Sequence, residues 1–174
     1  MKKRLISFIL GFCLFSFPVA VLATPSSHEI MLKIAAEQLE PVANAAICSM
    51  DLPKNWTVSL NSPDKLQFKV PYHPGILGVI EKTERVLSSD ESVKKLSDAF
   101  KSEFSIFSDD AFEHGAVSGH RLVLTARLGG EKWKVLVFSG RIASGTNIFY
   151  YAVVPEYWFA SYQPLLNDVL ESFK

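Results

Sequence analysis

The sequence predicts an α+β fold in which an antiparallel β-sheet of about six strands is covered by helices on both faces. Three observations lead to this prediction. Short segments that alternate apolar and polar residues are separated by turn residues, which is typical of antiparallel strands. The pair Gly129-Gly130 joins two of these segments, as a tight hairpin does. The last strands are apolar on both sides, so both faces of the sheet require cover.

The first 23 residues have the pattern of a secretory signal peptide. Three basic residues precede an uncharged apolar run from Leu5 to Ala23, and the polar stretch Pro25-Ser26-Ser27 follows shortly after it. We expect cleavage after Ala23 rather than an uncleaved anchor, because Pro18 interrupts the run and small residues end it. The mature chain would then be periplasmic or secreted, with no membrane span after cleavage.

Charge and cysteine content narrow the classes of function. The chain has 18 basic and 18 acidic residues, and the signal peptide contains three of the basic ones, so the mature net charge is −3. A mildly acidic domain is poorly suited to nucleic acid, because basic faces supply most of that affinity. Cys48 is the one cysteine of the mature chain, so it is either a buried apolar residue or half of an intermolecular disulfide.

The mature chain divides into an N-terminal helical segment, residues 24–50, and one α+β domain, residues 51–174. Apolar residues of the first segment recur at helical spacing after a possible capping box at Ser26 to Glu29. Pro41 would break or kink that helix, so one helix and two short helices are both open.

Strands are predicted where β-branched and aromatic residues alternate with polar residues between turns. They span Trp56–Leu60, Leu66–Val70, Ile76–Arg85, Val117–Leu128, Lys132–Ile142 and Asn147–Val154.

Two longer helices are predicted within the domain. Cap residues and first-turn acids favour a helix over Ser89–Phe104, and Asp109, Asp110 and His114 follow it as a loop. A second apolar stripe runs from Trp158 to the C-terminus, where Pro164 would cause a bend or a second helix start.

Two stretches carry a family resemblance. Leu52-Pro53-Lys54-Asn55-Trp56-Thr57-Val58 is similar to the opening strand of the PsbP-like family, which includes DcrB-like bacterial envelope proteins. Residues 151–158, followed by 162–166 and 170–173, are similar to its last strand and helix, so the resemblance covers most of residues 50–174. It implies an α/β/α sandwich. It implies no catalytic residues, because members bind unrelated partners and fold does not fix function.

No catalytic, metal-binding or nucleotide-binding motif stands out, and we expect no cofactor and no metal ion. His114 and His120 lie near Asp109 and Asp110, so an accidental metal site is the alternative to solvated loop residues. The acidic pair lacks the ligand spacing of a calcium loop. Ser139 does not stand in the strand-to-helix elbow of a hydrolase.

These observations favour a noncatalytic envelope protein that acts as a binding or accessory module through contacts with a protein partner. The alternative is a periplasmic or secreted hydrolase with an unrecognised active site, and the oligomeric state is open. Most aromatic residues near the C-terminus are expected in the core. The residues expected to be exposed and to form a contact surface are Tyr72, His73, Tyr157 and Phe159.

Overall fold

The structure is a computed structural model that describes residues 33–34, 37–42, 45–70 and 76–174. The predicted signal peptide and two of the predicted contact residues, Tyr72 and His73, lie outside these ranges. Within them the chain forms nine strands and two long helices.

The strands make a two-stranded sheet and a seven-stranded sheet, and every pairing is antiparallel. The small sheet pairs β1 (Leu39–Pro41) with β2 (Asp51–Pro53). The main sheet has the order β3-β4-β5-β9-β8-β7-β6, built from β3 (Thr57–Asn61), β4 (Lys65–Lys69), β5 (Leu77–Thr83), β6 (Phe104–His114), β7 (Val117–Leu128), β8 (Glu131–Arg141) and β9 (Asn147–Pro155). Helix α1 (Ser89–Phe100) connects β5 to β6, and helix α2 (Glu156–Glu171) follows β9.

The α+β class with a large antiparallel sheet is therefore confirmed, but the main sheet has seven strands instead of about six. The additional strand is β6, so the prediction of a loop at Asp109, Asp110 and His114 was wrong. Its polar side chains are typical of a loop. The backbone nevertheless pairs with β7 from Phe104 to His114, because an edge strand keeps its hydrogen bonds on one side and its side chains in water.

The N-terminal segment is not helical throughout, because Leu39–Pro41 forms strand β1. Pro41 explains the difference, since its ring clashes inside a helix while an edge strand tolerates its missing amide hydrogen. The end of this segment and the start of β2 are joined to the C-terminal end of the chain. The Asp51 amide donates to Ser172 Oγ at 2.9 Å, and the Lys174 amide donates to the Ser49 carbonyl at 3.0 Å.

Helix α1 begins where the sequence predicts and ends one turn earlier. Ser88 caps it, with reciprocal hydrogen bonds between Ser88 and Glu91, and Arg85 pairs with the Glu91 carboxylate. Lys101 has a φ of 55°, a left-handed conformation that ends the helix. Phe104 consequently starts β6 instead of closing the helix.

The side chains of the sheet divide between two apolar clusters. In β9, Tyr150 and its alternate neighbours join one cluster with Trp158 and other residues of α2. Phe149 and its alternate neighbours join the second cluster with Leu96 of α1. Successive residues of a strand point to opposite faces, so each helix packs on a different set of β9 side chains.

The hairpin prediction at Gly129-Gly130 is confirmed. The two residues have φ values of 59° and 88°, which is the left-handed conformation that both central residues of this turn require. The turn fixes the register of β7 and β8, which pair from Leu128 and Glu131 back to Ser118 and Arg141.

The Tyr150 hydroxyl supplies a test of the core. The side chain is fully buried and its hydroxyl has no hydrogen-bond partner among the described residues, which costs stability because the group has left water. We expect Tyr150→Phe to leave the free energy of unfolding unchanged or to raise it by up to about 2 kcal/mol. Urea unfolding measures this change. A loss of stability would show that the hydroxyl is satisfied, and Tyr150→Ala should lose roughly 3 kcal/mol or more.

Glu81 on β5 gives a pH-dependent test. Its carboxylate lies 2.8 Å from both Lys65 Nζ and Lys95 Nζ. Burial acts to raise the pKa of Glu81, but hydrogen bonds from both lysines outweigh it and the pKa is lowered. A carboxyl with a lowered pKa stabilises the fold above its unfolded pKa, and that stability disappears as the pH falls through the folded pKa.

We therefore expect Glu81→Gln to lose roughly 1–3 kcal/mol of unfolding free energy at neutral pH, and to approach the unmodified chain below about pH 4. Chemical unfolding at a series of pH values measures the gap. Glu131→Gln is the control, because Glu131 is exposed and forms no ion pair with any described residue. A gap that stays constant with pH would contradict the assigned role.

Cys48 is buried as a free cysteine, and burial raises the pKa of its thiol to about 11. The thiolate is the reactive form, so the folded chain should react slowly at this position. We expect iodoacetamide labelling of the Cys48 peptide, followed by mass spectrometry at pH 8, to be at least about 100-fold slower in the folded chain than in urea. Equal rates would favour the other possibility left open by the sequence, an accessible thiol that can form an intermolecular disulfide.

Candidate contact surface

The structure separates the two predicted contact residues that it describes. Tyr157, in the first turn of α2, is 69 % exposed. Phe159 is only 4 % exposed, so the expectation that it is a surface residue was wrong. The reason is helical geometry, because two residues along a helix turn the side chain by about 200°, from solvent to the sheet. Tyr72 and His73 lie outside the described residues.

An open groove lies beside the start of α2, at the end of the sheet that contains the Gly129-Gly130 turn. It has a volume of about 590 Å³, and we call it the hairpin groove. It is lined by residues just before and at the start of β6, by the adjoining ends of β7 and β8, and by the first residue of α2, among them Glu103, Ser105, Thr125, Arg127, Lys132 and Glu156.

Phe107 is a large exposed side chain next to this groove. The β6–β7 register skips Phe107 between Ile106 and Ser108, so the strand has a bulge there. The Phe107 side chain is 67 % exposed, and Lys134 Nζ lies 4.1 Å from its ring centre. Lys134 pairs directly with Thr125, which lines the groove. The bulge therefore presents an aromatic ring in water at the groove's border.

Four large apolar side chains are exposed in the described part of the chain. They are Leu60, Ile106, Phe107 and Tyr157. Leu60 belongs to β3 at the far edge of the sheet, whereas Phe107 belongs to β6 and Tyr157 to α2, two of the elements that line the hairpin groove. Exposed aromatic residues around a concave surface are typical of contact sites.

Little in the local sequence pattern singles out Phe107 as a surface residue. The residue falls just after the predicted end of the first domain helix, where a loop was expected. The available signal was the apolar pair Ile106-Phe107 directly before Ser108-Asp109, but Phe107 stands three residues after Phe104 and so also fits the helical spacing of the residues before it.

Three cations lie together at the hairpin groove. Arg127 of β7 and Lys132 of β8 are directly opposite each other, and like charges in that position repel. Lys134 follows on the same face of β8, and its ammonium lies 4.1 Å from the ring centre of Phe107 and 5.5 Å from that of Phe159.

Two carboxylates share the site. Glu156 Oε2 lies 3.9 Å from Lys132 Nζ, and Glu103 also lines the groove. Within the described ranges, neither Arg127 nor Lys134 forms an ion pair. The groove and its border therefore combine three positive with two negative charges, and two of the cations have no carboxylate partner in the described chain.

The sheet register also brings a serine, a histidine and an aspartate into one row. Ser139 is directly opposite His120, and His120 Nδ1 lies 3.8 Å from Asp109 Oδ1. Ser139 has no exposed surface, however, and its Oγ accepts the Leu87 amide at 2.7 Å. A nucleophile must reach its substrate and contact its base. The burial of Ser139 and its bond to Leu87 are those of a structural serine that fixes the entry to α1.

His114 and His120, which lie near acidic residues in the sequence, are close to different carboxylates in the structure. His120 faces Asp109, whereas His114 lies 3.8 Å from Glu171 on α2. No group of three or more histidine, cysteine or acidic residues with metal-binding geometry occurs in the described ranges. In the same ranges, no helix combines the length and the apolar character that crossing a bilayer requires.

Comparison with known proteins gives structural neighbours only. No protein-family model and no curated protein matches the sequence. Among solved structures, the Ran-binding protein Mog1p of Saccharomyces cerevisiae aligns with a TM-score of 0.55 and 8 % identity, over 80 % of this chain and 96 % of its own.

Two further structures align comparably. PA94 of Pseudomonas aeruginosa, a protein of unknown function, has a TM-score of 0.50 and 11 % identity, over 78 % of this chain and 94 % of its own. The cyanobacterial PsbP protein CyanoP of Synechocystis sp. PCC 6803 has a TM-score of 0.54 and 14 % identity, over 79 % of this chain and 91 % of its own. Identities this low establish the fold alone, and they confirm what the sequence resemblance implied: this chain has the PsbP-like fold.

Proposed function

We propose that this protein is an exported, noncatalytic envelope protein that acts as a binding or accessory module through contacts with a protein partner. The observation that carries the proposal is the pair of exposed aromatic residues, Phe107 and Tyr157, on the elements that border the hairpin groove. Aromatic residues are enriched where proteins bind other proteins, because they bury a large area at a low cost in conformational entropy.

The fold supports a module of this kind. The proposal includes the full sandwich, with α1 on one face of the sheet and α2 on the other, supported by the two separate clusters that the helices join. The strands that line the groove are paired with one another in the sheet, and a preformed surface limits the ordering cost of association. Mog1p, which shares the fold, is a Ran-binding protein, so the fold is compatible with protein binding.

Export is the second part of the proposal, and it rests on the signal-peptide pattern of residues 1–23. Cleavage after Ala23 would release the mature chain into the periplasm or the medium. The predicted contact residues Tyr72 and His73 stay part of the proposed surface, together with Tyr157. Phe107 replaces the buried Phe159.

The alternative of a hydrolase gains no support from the serine that the sheet register places opposite a histidine. Ser139 is buried, and its hydroxyl already accepts a backbone amide, so a substrate cannot reach it without displacement of the segment around Leu87. Of the hydroxyls in the hairpin groove, Ser102 Oγ donates to the Arg127 carbonyl and Thr125 Oγ1 to the Ser105 carbonyl, so neither donates to a base that could activate it as a nucleophile.

Site-specific photo-cross-linking tests the proposed contact surface. A photoreactive phenylalanine analogue replaces Phe107 or Tyr157 in the chain expressed in its own host, and Leu60 is the matched control because it is exposed at the opposite edge of the sheet. We expect the same protein to be cross-linked from positions 107 and 157 and not from position 60. Mass spectrometry identifies the product.

Two results would count against the proposal. Identical cross-linked products from all three positions would show nonspecific contact, and the absence of any product from positions 107 and 157 would remove this surface. Export is checked in the same cells, because cleavage after Ala23 leaves a mature N-terminus at Thr24 that mass spectrometry of the purified chain detects.

A further inference from the structure

We infer that the hairpin groove binds an acidic, extended segment of the partner protein, with carboxylates at Arg127, Lys132 and Lys134 and an apolar side chain against Phe107. This inference rests on the proposed function and specifies the chemistry of the partner. It follows from charge complementarity, because the groove and its border hold three cations and two carboxylates.

The first observation that favours an acidic ligand is the position of Arg127 relative to Lys132. Arg127 and Lys132 are directly opposite on neighbouring strands, so the two charges repel when no anion lies between them. Glu156 reaches only Lys132, at 3.9 Å. A carboxylate from outside that lies between Arg127 and Lys132 relieves this repulsion, and it can accept two hydrogen bonds from the planar guanidinium of Arg127.

The second observation that favours an acidic ligand is the position of Lys134. Its ammonium is positioned by the rings of Phe107 and Phe159, which attract a cation without neutralising it. The position of this charge is therefore fixed in advance and remains available to an anion. The same Phe107 ring is 67 % exposed, so an apolar side chain of the partner can pack on it while a neighbouring carboxylate reaches Lys134.

The dimensions favour a peptide segment over other anions. The groove of about 590 Å³ is open and runs across the ends of three strands, which accommodates several residues of an extended chain. Nucleic acid is disfavoured because the mature chain is acidic overall and three cations neutralise few phosphates. An anionic membrane surface is the remaining source of negative charge, and the experiment includes it.

The test measures binding of a fluorescein-labelled peptide, in which two glutamates stand on each side of one phenylalanine, to the purified chain by fluorescence anisotropy. The control peptide has glutamine in place of each glutamate. We expect the acidic peptide to bind in low salt, to bind more weakly as salt is added, and to bind at least roughly fivefold more tightly than the glutamine peptide.

Charge-reversal variants locate the binding. Arg127→Glu and Lys132→Glu should each weaken binding of the acidic peptide by roughly fivefold or more. Lys69→Glu is the matched control, because it makes the same change of charge on β4 near the other edge of the sheet, and it should leave binding unchanged. Glu103→Gln removes a negative charge from the groove and should strengthen binding, which a misfolded variant could not do.

The inference is overturned if the peptide fails to bind, if the glutamine peptide binds equally well, or if Lys69→Glu weakens binding as much as Arg127→Glu. It is also overturned if the chain instead sediments with vesicles of phosphatidylcholine and phosphatidylglycerol in a manner that requires Arg127.

The proposed function is judged separately. A partner cross-linked from positions 107 and 157 in both the unmodified chain and Arg127→Glu would sustain the binding module while rejecting an acidic segment. Loss of that product in Arg127→Glu, with retention in Lys69→Glu, supports both.

Discussion

The rest of the structure depends on strand β9, whose side chains are buried on both faces of the sheet. It pairs with β5 on one side and β8 on the other, so its backbone is satisfied within the sheet, and its side chains alternate between the two apolar clusters. A strand of this kind is stable only when other elements cover both its faces. Apolar residues of α2 join one of the two clusters, and apolar residues of α1 join the other.

The cover does not extend over the whole sheet, and this has a consequence for function. The four sequential strands β6 to β9 form hairpins that lead outward from β9 to the edge at β6. Near the Gly129-Gly130 turn, α2 has only begun, so the ends of β6, β7 and β8 keep polar and charged side chains in contact with water. The hairpin groove lies between the start of α2 and these uncovered strand ends.

The same edge shows how the protein restricts uncontrolled strand pairing. Strand β6 is long and open on one side, but it carries a bulge at Phe107 and the charged residues Asp109, Asp110 and Glu113. Bulges and charges at a sheet edge discourage the addition of further strands. The bulge that interrupts pairing also turns Phe107 towards Lys134, so one local irregularity both protects the edge and forms part of the contact surface.

Local sequence signals determined those elements that are specified by a few residues close together in the chain. Two adjacent glycines, each able to adopt positive φ, specify the β7–β8 turn, and Ser88 with Glu91 specifies the start of α1. The double-sided apolar character of β9 likewise requires a covered sheet. These features depend on residues close together in the chain, and so the PsbP-like fold was accessible from the sequence.

Tertiary structure alone decided the features that depend on distant residues. Strand β6 exists because β7 offers hydrogen bonds to a polar segment, and β1 exists because residues 51–53 pair with it. The direction in which α2 leaves β9 decides that Tyr157 is exposed and Phe159 buried. The contact surface combines residues of β6, β7, β8 and α2. Their side chains become neighbours only when the sheet forms. No local pattern in the sequence therefore predicts which of them lie together.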